Sequence, residues 1–467
     1  MKNYAIVGSG YAGLSVLFRL LELPDQEISA ITLFDTPETL AVGHAFGDDV
    51  CTNLLNRPVK TMYFREAGDF GSWLKQYQTH LQHSDDQFVP RTYFGQFLRY
   101  QLILCKQRSR QRGIILRFVP KMVVDLTLQA GGVRIYTQSG ENALFSRCFL
   151  CTGTTQQRDP YGVALHAGYF ESAWPIRNLR ILPGESVGII GSRLSAHDVA
   201  IALAPHCRKL YFISRQGLLP RRIAGYHNVL PQRFTPRNID RLYFVSGNIA
   251  FHQLFRLLRL EFAAQRCSLS DFLRNAQPSI TAMSILLALN ISVSHAWRRL
   301  SLTQRARFIA RWQSRWQQLR VPIAIPNALR VEQLFSTGKL DHLHGDISIT
   351  PNPDGFTLSV SGVQGPRVNK LINASGISAC PYHYPLIGRL ISRGIGVPHP
   401  FGGIRICPET LSVISVNNTI VPNVKCIGQM TVGEFFTVGN IDILHEQAKL
   451  AVVSRWNDTP HAADLGY

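Results

Sequence analysis

The apolar and polar pattern at the start of the chain predicts a strand, a glycine-rich turn and a helix in immediate succession. Residues 4–7 are continuously apolar, residues 8–13 read Gly-Ser-Gly-Tyr-Ala-Gly, and residues 14–23 have helical composition without a breaker. A second apolar strand follows at residues 30–34 and ends in Asp35. This order of elements is typical of a dinucleotide-binding βαβ unit.

The three glycines of the first turn have separate expected roles. Gly8 makes the tight turn, Gly10 lets the backbone approach a pyrophosphate, and Gly13 lets the helix pack closely on the strand. The helix N-terminus offers N–H groups and a positive dipole to the phosphates. Asp35 is expected at the hydroxyls of the adenosine ribose. A dinucleotide unit in this position of the sequence favours FAD as its cofactor.

Three later segments repeat a strand that ends in a small residue and glycine. They are residues 149–153, 371–376 and 424–428. The first is similar to the turn that returns the chain to FAD in flavoproteins with two dinucleotide domains. The last corresponds to the strand and turn that close over the flavin in such proteins. Gly153 and Gly428 are therefore candidate FAD contacts.

A second unit with the same order of elements begins at residue 186. Its first strand leads into Gly191, and its second strand ends in Ser214 and Arg215. An arginine in this position can pair with a 2′-phosphate that a carboxylate would repel, so NADPH is the expected cofactor. Arg193, however, stands where the fingerprint has its second glycine. Two interpretations remain open: Arg193 clamps a phosphate, or the site is partly or wholly degenerate.

Residues 235–322 differ from their surroundings and predict a helical insertion. Apolar residues recur at three- and four-residue spacing in residues 251–262, 280–300 and 302–319. The segment also contains Trp297, Trp312, Trp316, Arg298, Arg299, Arg305, Arg307, Arg311, Arg315 and Arg320. Such a segment is consistent with an arginine-rich packing surface, with a lid or wall of an active site, or with a surface for nucleic acid or anionic lipid.

The composition of the whole chain limits the class of protein to which it can belong. The 467 residues include 49 Lys+Arg and 30 Asp+Glu, which gives a formal net charge of +19, and 39 of the cations are arginines. An apolar fraction of 45% with 17% charged residues indicates a globular protein and excludes a disordered or collagen-like chain. The nine cysteines do not suggest a disulfide framework, and Cys148 and Cys151 are interpreted as two packed thiols. We expect a soluble, cytoplasmic protein without a membrane span.

Several motifs resemble those of a known family. Residues 51–58 (Cys-Thr-Asn-Leu-Leu-Asn-Arg-Pro), 88–95 (Phe-Val-Pro-Arg-Thr-Tyr-Phe-Gly) and 214–220 (Ser-Arg-Gln-Gly-Leu-Leu-Pro), together with the paired nucleotide units, resemble the bacterial FAD/NAD(P)-binding oxidoreductases. These proteins are distant relatives of the flavin-dependent N-hydroxylating monooxygenases. The resemblance covers nearly the whole chain and implies cofactors and a class of chemistry, but no particular substrate. Arg193 and the segment 431–436 depart from the family pattern.

Four polar residues are candidates for the active site. Asn56 and Lys60 lie in a polar run that we expect over the flavin, where an amide or a cation can contact the ring carbonyls or stabilise a reduced ring. The alternative is a capped loop with solvated charges. Arg91 is a candidate for a substrate carboxylate or a cofactor phosphate, or else forms a surface ion pair. Glu434 either takes part in catalysis or simply suits the start of a helix.

The sequence as a whole predicts an α/β protein with two Rossmann-like dinucleotide-binding domains, for FAD and NAD(P), and a helical insertion. The predicted bounds are residues 1–182 and 323–467 for the FAD-binding domain and 183–322 for the NAD(P)-binding domain, with the insertion at about 235–322. The favoured function is an NADPH-using monooxygenase that transfers oxygen from O2 to a small, anionic metabolite, with N-hydroxylation as one such reaction. The alternatives are an FAD-dependent dehydrogenase or oxidase with a degenerate NAD(P) site, and a flavoprotein that binds a polyanionic partner through its basic helices. No metal is expected, and neither nucleic acid nor a membrane is the expected partner.

Overall fold

The computed structural model of the protein describes residues 2–24, 28–79, 84–275 and 277–453. Its strands are β1 (Lys2–Val7), β2 (Ile28–Phe34), β3 (Ile115–Val119), β4 (Val123–Gln129), β5 (Gly132–Thr137), β6 (Asn142–Phe145), β7 (Arg147–Leu150), β8 (Tyr169–Phe170), β9 (Ser186–Ile190), β10 (Lys209–Ser214), β11 (Arg222–Ile223), β12 (Ile323–Ala324), β13 (Leu340–His344), β14 (Ile347–Asn352), β15 (Gly355–Val360), β16 (Val363–Val368), β17 (Lys370–Asn373), β18 (Ser412–Ile414) and β19 (Ile420–Cys426).

Helices occupy the segments between these strands. They are α1 (Tyr11–Glu22), α2 (Asp69–Tyr77), α3 (Arg91–Gln111), α4 (Leu194–Leu203), α5 (Pro236–Ser246), α6 (Phe251–Ala264), α7 (Leu269–Arg274), α8 (Ile280–Ala288), α9 (Asn290–Arg298), α10 (Leu302–Arg311), α11 (Gln313–Arg320), α12 (Ile325–Ser336), α13 (Pro385–Ser392), α14 (Val432–Phe435) and α15 (Ile441–Val453). Single turns of 3₁₀ helix occur at Val59–Thr61, Ile176–Asn178, Pro381–His383 and Gln429–Thr431.

The first nucleotide unit builds a six-stranded sheet with the order β18-β19-β7-β1-β2-β3. All of its pairings are parallel except the one between β18 and β19. The central strands β1, β2 and β7 are largely buried, because helices and loops cover both faces of the sheet, and this explains their continuous apolar sequences.

The second unit builds a five-stranded, wholly parallel sheet with the order β13-β10-β9-β17-β8. In both units a three-stranded antiparallel sheet precedes the strand that returns to the parallel sheet: β4–β6 precede β7, and β14–β16 precede β17. The predicted α/β class with two Rossmann-type units is confirmed.

The pairing of the later strands differs from the predicted domain bounds. Residues from 323 onward were assigned to the FAD-binding domain, but β13 and β17 pair within the second sheet, and the chain rejoins the first sheet only at β18. Likewise β8, which lies before residue 183, pairs with β17. Short strands carry no local signal for the sheet they join, because distant residues decide their pairing.

The helical segment from α5 to α11 has its own apolar core, which includes Phe262, Phe272 and Leu286. The continuous helix predicted for residues 280–300 is in fact two helices, α8 and α9, which meet at Leu289 with a bend of 47°. The helix predicted for residues 302–319 is likewise broken at Trp312. The bend redirects α9 so that it packs against α14 and α15, which follow the last strand of the six-stranded sheet.

No single helix in the described ranges is long and apolar enough to cross a membrane. The bent pair formed by α8 and α9 meets that test of length and composition only when both helices are taken together.

Candidate functional site

The first glycine turn excludes side chains by direct contact. Gly8 has a φ of 89°, and a Cβ atom at this residue would lie 2.1 Å from the carbonyl oxygen of Cys151. A Cβ at Gly13 would lie 1.9 Å from the carbonyl oxygen of Gly8. Gly10 is only partly buried and precedes the first turn of α1, which contains no acidic residue. These features fit the pyrophosphate of a dinucleotide, because backbone N–H groups and the helix dipole stay accessible to an anion.

Asp35 follows β2 and lies beside this turn. One carboxylate oxygen accepts hydrogen bonds from the backbone N–H and the hydroxyl of Ser9, at 2.6 and 2.7 Å. The other accepts from the backbone N–H of Thr36 and from the hydroxyl of Thr39. The carboxylate is thus oriented by the glycine turn itself, and its predicted contact with a ribose stays a prediction.

Two glycines from the other strands lie in left-handed turns near the first unit. Gly153 (φ 69°) follows β7, and no atom would lie within 4 Å of a Cβ placed there. Gly428 (φ 90°) follows β19, and its N–H donates to the side chain of Gln447 in α15 at 2.9 Å. Both positions therefore present backbone at the carboxyl end of the six-stranded sheet, where a cofactor is expected in this type of fold.

The polar candidates of the loop at residues 53–61 have different surroundings. The ammonium group of Lys60 pairs with Asp86 at 2.6 Å in a partly exposed ion pair. Asn56 is half-buried, and its side-chain amide makes no hydrogen bond within the ranges that the structure describes. Of these two candidates, Asn56 is the one whose hydrogen-bonding groups are available to a cofactor.

Arg91 forms an ion pair with a buried carboxylate of the second nucleotide unit. Its guanidinium donates to the carboxylate of Asp198 in α4 at 2.8 Å and to the carbonyl of Leu54 at 3.1 Å, and it lies 5.2 Å from the ring centre of Trp174. Burial raises the pKa of Asp198 to about 6, although Arg91 acts in the opposite direction. Arg91 thus links the two nucleotide units, and its predicted contact with a substrate carboxylate or a cofactor phosphate stays a prediction.

The second glycine turn has the same architecture as the first. Gly191 has a φ of 120°, and a Cβ there would lie 2.5 Å from the carbonyl oxygen of Ala374, in the turn after β17. Arg193 extends towards α11, where it donates to the carbonyl of Ser314 at 3.1 Å and to the side chain of Gln317. In this arrangement the guanidinium of Arg193 is engaged by α11, and both interpretations of Arg193 stay predictions.

The end of β10 carries the residues predicted to select NADPH. The hydroxyl of Ser214 lies 2.8 Å from Nε2 of His342, and it accepts a hydrogen bond from the N–H of Gly217. Burial, with a smaller effect from His344, lowers the pKa of His342 to about 4. Arg215 is exposed and extends from the same strand end. His342 thus orients Ser214, a role that sequence reasoning did not foresee.

Glu434 lies in a buried contact between α14 and the helical segment. Its carboxylate is 3.5 Å from a guanidinium nitrogen of Arg305 and 3.7 Å from Nε2 of His399. The indole of Trp297 donates to the carbonyl of the neighbouring Gly433 at 2.8 Å. The same indole stacks on Phe436 with ring centres 4.5 Å apart.

A second, partly buried polar cluster was not recognised in the sequence. The carboxylate of Asp442 accepts hydrogen bonds from Arg57 at 3.0 Å, from the amide of Asn290 at 2.8 Å and from the hydroxyl of Tyr63 at 3.1 Å. Arg320 in turn donates to the side-chain oxygen of Asn290. Burial raises the pKa of Tyr63, and the charge of Asp442 adds to this shift.

This cluster joins three segments. It brings together the loop after β2, the N-terminus of α9 and the first turn of α15, and Arg57 and Asp442 are 385 positions apart. No local pattern could have revealed it.

Cys148 and Cys151 are both buried and free, and burial raises the pKa of each thiol. They pack in and after β7, as interpreted from the sequence. The described residues contain no group of three or more His, Cys, Asp or Glu side chains that could hold a metal ion.

Together, the two parallel sheets and their glycine turns define a fold of two Rossmann-type units. Residues 5–155 match a family model described as FAD-NAD(P)-binding. The chain is also 28% identical over 220 residues to the uncharacterized protein YdhS of Escherichia coli (strain K12), a match that covers 44% of this chain and 40% of that protein. This chain therefore aligns with less than half the length of that relative.

Solved structures with the same fold cover nearly the whole chain. The cadaverine monooxygenase DfoA from Erwinia amylovora, solved with FAD bound, is similar with a TM-score of 0.61 at 12% identity, over 99% of this chain and 95% of that one. The ornithine hydroxylase PvdA from Pseudomonas aeruginosa is similar with a TM-score of 0.56 at 13% identity, over 98% and 99%.

Proposed function

We propose that the protein is an FAD-dependent monooxygenase that takes reducing equivalents from NADPH and transfers one oxygen atom of O2 to a small, anionic metabolite. The balanced reaction converts the metabolite, NADPH, a proton and O2 into the oxygenated metabolite, NADP+ and water. An amine nitrogen is a suitable acceptor for this chemistry, which makes N-hydroxylation the first reaction to test. The family model and the fold support FAD binding, whereas the choice of NADPH and of O2 belongs to the proposal.

The observation that carries the proposal is the repetition of one turn architecture in two parallel sheets. Gly8 contacts the turn after β7, and Gly191 contacts the turn after β17, in each case closely enough to exclude a Cβ atom. Each turn leads into a helix N-terminus, which is the arrangement that binds dinucleotide phosphates. Two such sites in one chain suit an enzyme that passes electrons from a nicotinamide to a flavin.

The chain supplies binding and shielding in this proposal. Gly8, Gly10 and Gly13 would hold the pyrophosphate of FAD, Asp35 the adenosine ribose, and Asn56 the carbonyl groups of the flavin. Gly153 and Gly428 would bring backbone to the ribityl chain and the ring. Bound FAD would supply the electron and oxygen transfer itself.

The helical segment would exclude water from the reacting side of the flavin. Its helix α9 packs against α14 and α15, with Trp297 seated on Phe436. Exclusion of water suits an oxygen transfer, because water diverts reactive intermediates into side reactions.

A second candidate function is an FAD-dependent dehydrogenase that takes hydride directly from its substrate. The observation that favours it is Arg193, which replaces the second glycine of the NAD(P) fingerprint and places a long side chain between the turn and α11. In this case the second unit would have only a structural role and would not bind a nucleotide.

The experiment that separates the two functions is anaerobic reduction of the FAD-loaded protein. We expect NADPH to bleach the flavin absorbance faster than NADH does, and readmission of O2 to restore it. With amines and amino acids as test substrates, a true substrate should raise NADPH and O2 consumption while less H2O2 is released per NADPH. Failure of millimolar NADPH to reduce the flavin would overturn the proposal, and bleaching by a substrate without NADPH would establish the dehydrogenase.

The variant Arg193→Gly restores the fingerprint glycine and provides a matched comparison. If Arg193 blocks the site, the variant should be reduced by NADPH much faster than the wild type. Equal rates would show that the side chain, anchored on α11, does not obstruct the nucleotide.

A further inference from the structure

Four solvent-shielded polar atoms lie along the contact between α9–α11 and the turn at residues 436–442, which we call the seam. They are Oγ of Ser294, Nε of Arg320, Oγ1 of Thr437 and Nδ2 of Asn440. In the part of the chain that the structure describes, none of these atoms has a hydrogen-bond partner. Buried polar atoms of native proteins are nearly always bonded, so four exceptions in one place call for an explanation.

Two contacts at the ends of the seam bring its two sides together. At one end Asn290 of α9 bonds to Asp442, and at the other end Trp297 of α9 stacks on Phe436. Ser294 lies between Asn290 and Trp297 at spacings of four and three residues, so all three share one face of the helix.

On the opposite side, Thr437 and Asn440 lie between Phe436 and Asp442 in the sequence. Arg320 reaches the same place from α11, since its guanidinium donates to Asn290. The unbonded atoms therefore belong to segments that the contacts Asn290–Asp442, Trp297–Phe436 and Arg320–Asn290 hold together.

The chemistry of these atoms specifies the ligand. Nε of Arg320 and Nδ2 of Asn440 can only donate hydrogen bonds, and the hydroxyls of Ser294 and Thr437 can also donate. A group that satisfies all four must therefore present several acceptor atoms close together. The oxygen atoms of a carboxylate or a phosphate meet this requirement.

The charges around the seam favour the same ligand. Arg57 pairs with Asp442 at 3.0 Å, and Arg320 donates to Asn290, which itself donates to Asp442, so two guanidinium groups lie around one carboxylate. Burial lowers the pKa of Arg320 to about 10, so it remains protonated at neutral pH. A buried charge in excess is costly unless an opposite charge joins it.

We propose that the seam is the subsite that binds the anionic group of the substrate, a carboxylate or a phosphate, through Arg320, Asn440, Ser294 and Thr437. This inference rests on the proposed function, and hydrogen bonds connect the seam to the glycine turn assigned to FAD. Tyr11 follows Gly10 directly, and its hydroxyl donates to the carbonyl of Tyr63, whose own hydroxyl donates to Asp442.

The test is a titration of the FAD-loaded protein with acetate and, separately, with inorganic phosphate at constant ionic strength. The readouts are the flavin difference spectrum and the midpoint of thermal unfolding. We expect saturable binding of at least one anion. The anion that binds more tightly shows whether the subsite prefers a carboxylate or a phosphate. Arg320→Gln should weaken the affinity for this anion by roughly tenfold or more, which is the effect expected when a hydrogen bond from a charged group is lost. Arg315→Gln, an exposed arginine of the same helix, should leave binding unchanged.

Two further variants keep the test valid if the Arg320→Gln protein does not fold. Ser294→Ala and Thr437→Val each remove one hydroxyl from the seam. We expect each variant to bind the anion a few-fold more weakly while its FAD content stays at the wild-type level.

The proposal would be overturned if neither anion binds in a saturable way, or if Arg320→Gln and Arg315→Gln behave alike. It would also be overturned if the seam variants lose FAD while the remaining holoprotein keeps its affinity for the anion, because the seam would then belong to the flavin. Reduction by NADPH is measured on the same wild-type sample. The proposed function can therefore fail there while the anion still binds, and the two failures are distinguishable.

Discussion

The contact between Trp297 and Gly433 provides a quantitative test of how the helical segment is attached. Trp297 is 3% exposed, and its indole N–H donates to the carbonyl of Gly433 at 2.8 Å. Trp73 is similarly buried, at 7%, but its indole N–H has no hydrogen-bond partner within the described residues. Substitution of each tryptophan by phenylalanine keeps an aromatic ring and removes one N–H group. The two variants therefore differ mainly in whether a hydrogen bond is lost.

The expected difference follows from the fate of the partner atom. Trp297→Phe leaves the buried carbonyl of Gly433 without a donor, and a buried group left unbonded costs about 1–3 kcal/mol. Trp73→Phe removes a donor that was already unbonded, so this cost is absent. Both variants lose part of the indole volume, and this common loss largely cancels in the comparison. We therefore expect Trp297→Phe to be less stable than Trp73→Phe by about 1–3 kcal/mol.

The assay is urea unfolding of both variants at saturating FAD, followed by far-ultraviolet circular dichroism and by flavin fluorescence. Trp297→Phe should also release FAD at a lower urea concentration, because the indole holds the turn at Phe436, whose φ of 59° is unfavourable for a residue with a side chain. Equal stability of the two variants, or a greater loss for Trp73→Phe, would refute the reasoning.

Three further predictions address the nucleotide sites. Gly13→Ala should abolish FAD binding in an equilibrium titration because its Cβ would collide with backbone, whereas Gly388→Ala, which has open space in a helix, should retain FAD and gain up to about 1 kcal/mol in unfolding free energy. Arg215→Gln should lower kcat/KM for NADPH by about 10- to 100-fold and leave that for NADH unchanged, a pattern that steady-state kinetics with both nucleotides would reveal. Burial raises the pKa of Asp198 to about 6, above the value of about 3.9 for an unfolded chain. Its stabilising effect is therefore present below about pH 4 and lost as the pH rises through 6, by about 3 kcal/mol. Asp198→Asn should flatten this part of the pH profile of unfolding, and an unchanged profile would contradict the assignment.

The elements next to the glycine turns could be predicted because their signals are local. A continuous apolar run, a glycine at each conformationally demanding position and a helical stretch follow one another within about twenty residues in both units. The contacts that exclude a Cβ at Gly8 and Gly191 involve turns far away in the sequence, yet the glycines themselves mark the need for space.

The breaks within the helical segment and the sheet assignment of β13 and β17 depend on distant partners. Residues 280–300 read as one helix because apolar spacing continues across Leu289. The bend at this point lets Asn290 reach Asp442, an interaction that no local pattern encodes. For the same reason Arg91 could be recognised as important but not as the partner of Asp198, 107 positions away.

The excess of arginine over lysine is explained in part by how the helices are fastened together. Arg305 donates to the carbonyls of Trp297, Arg298 and Leu300 at the end of α9, and Arg221 donates to the carbonyls of Phe272 and Leu273 near the end of α7. Carbonyls at the end of a helix lack partners within the helix, and a planar guanidinium with five N–H groups can satisfy two or three of them at once.

A lysine ammonium cannot cover such a spread of acceptors in one fixed geometry, which is why arginine is the suitable residue here. These buried arginines are already engaged by backbone and are not available to a polyanion. Arg320 is different, because its shielded Nε has no acceptor in the described residues although its neighbouring nitrogen is bonded. A positive charge that the fold itself leaves partly unsatisfied, beside the residues assigned to FAD, is better explained by a small anionic substrate than by an extended polyanion on the surface.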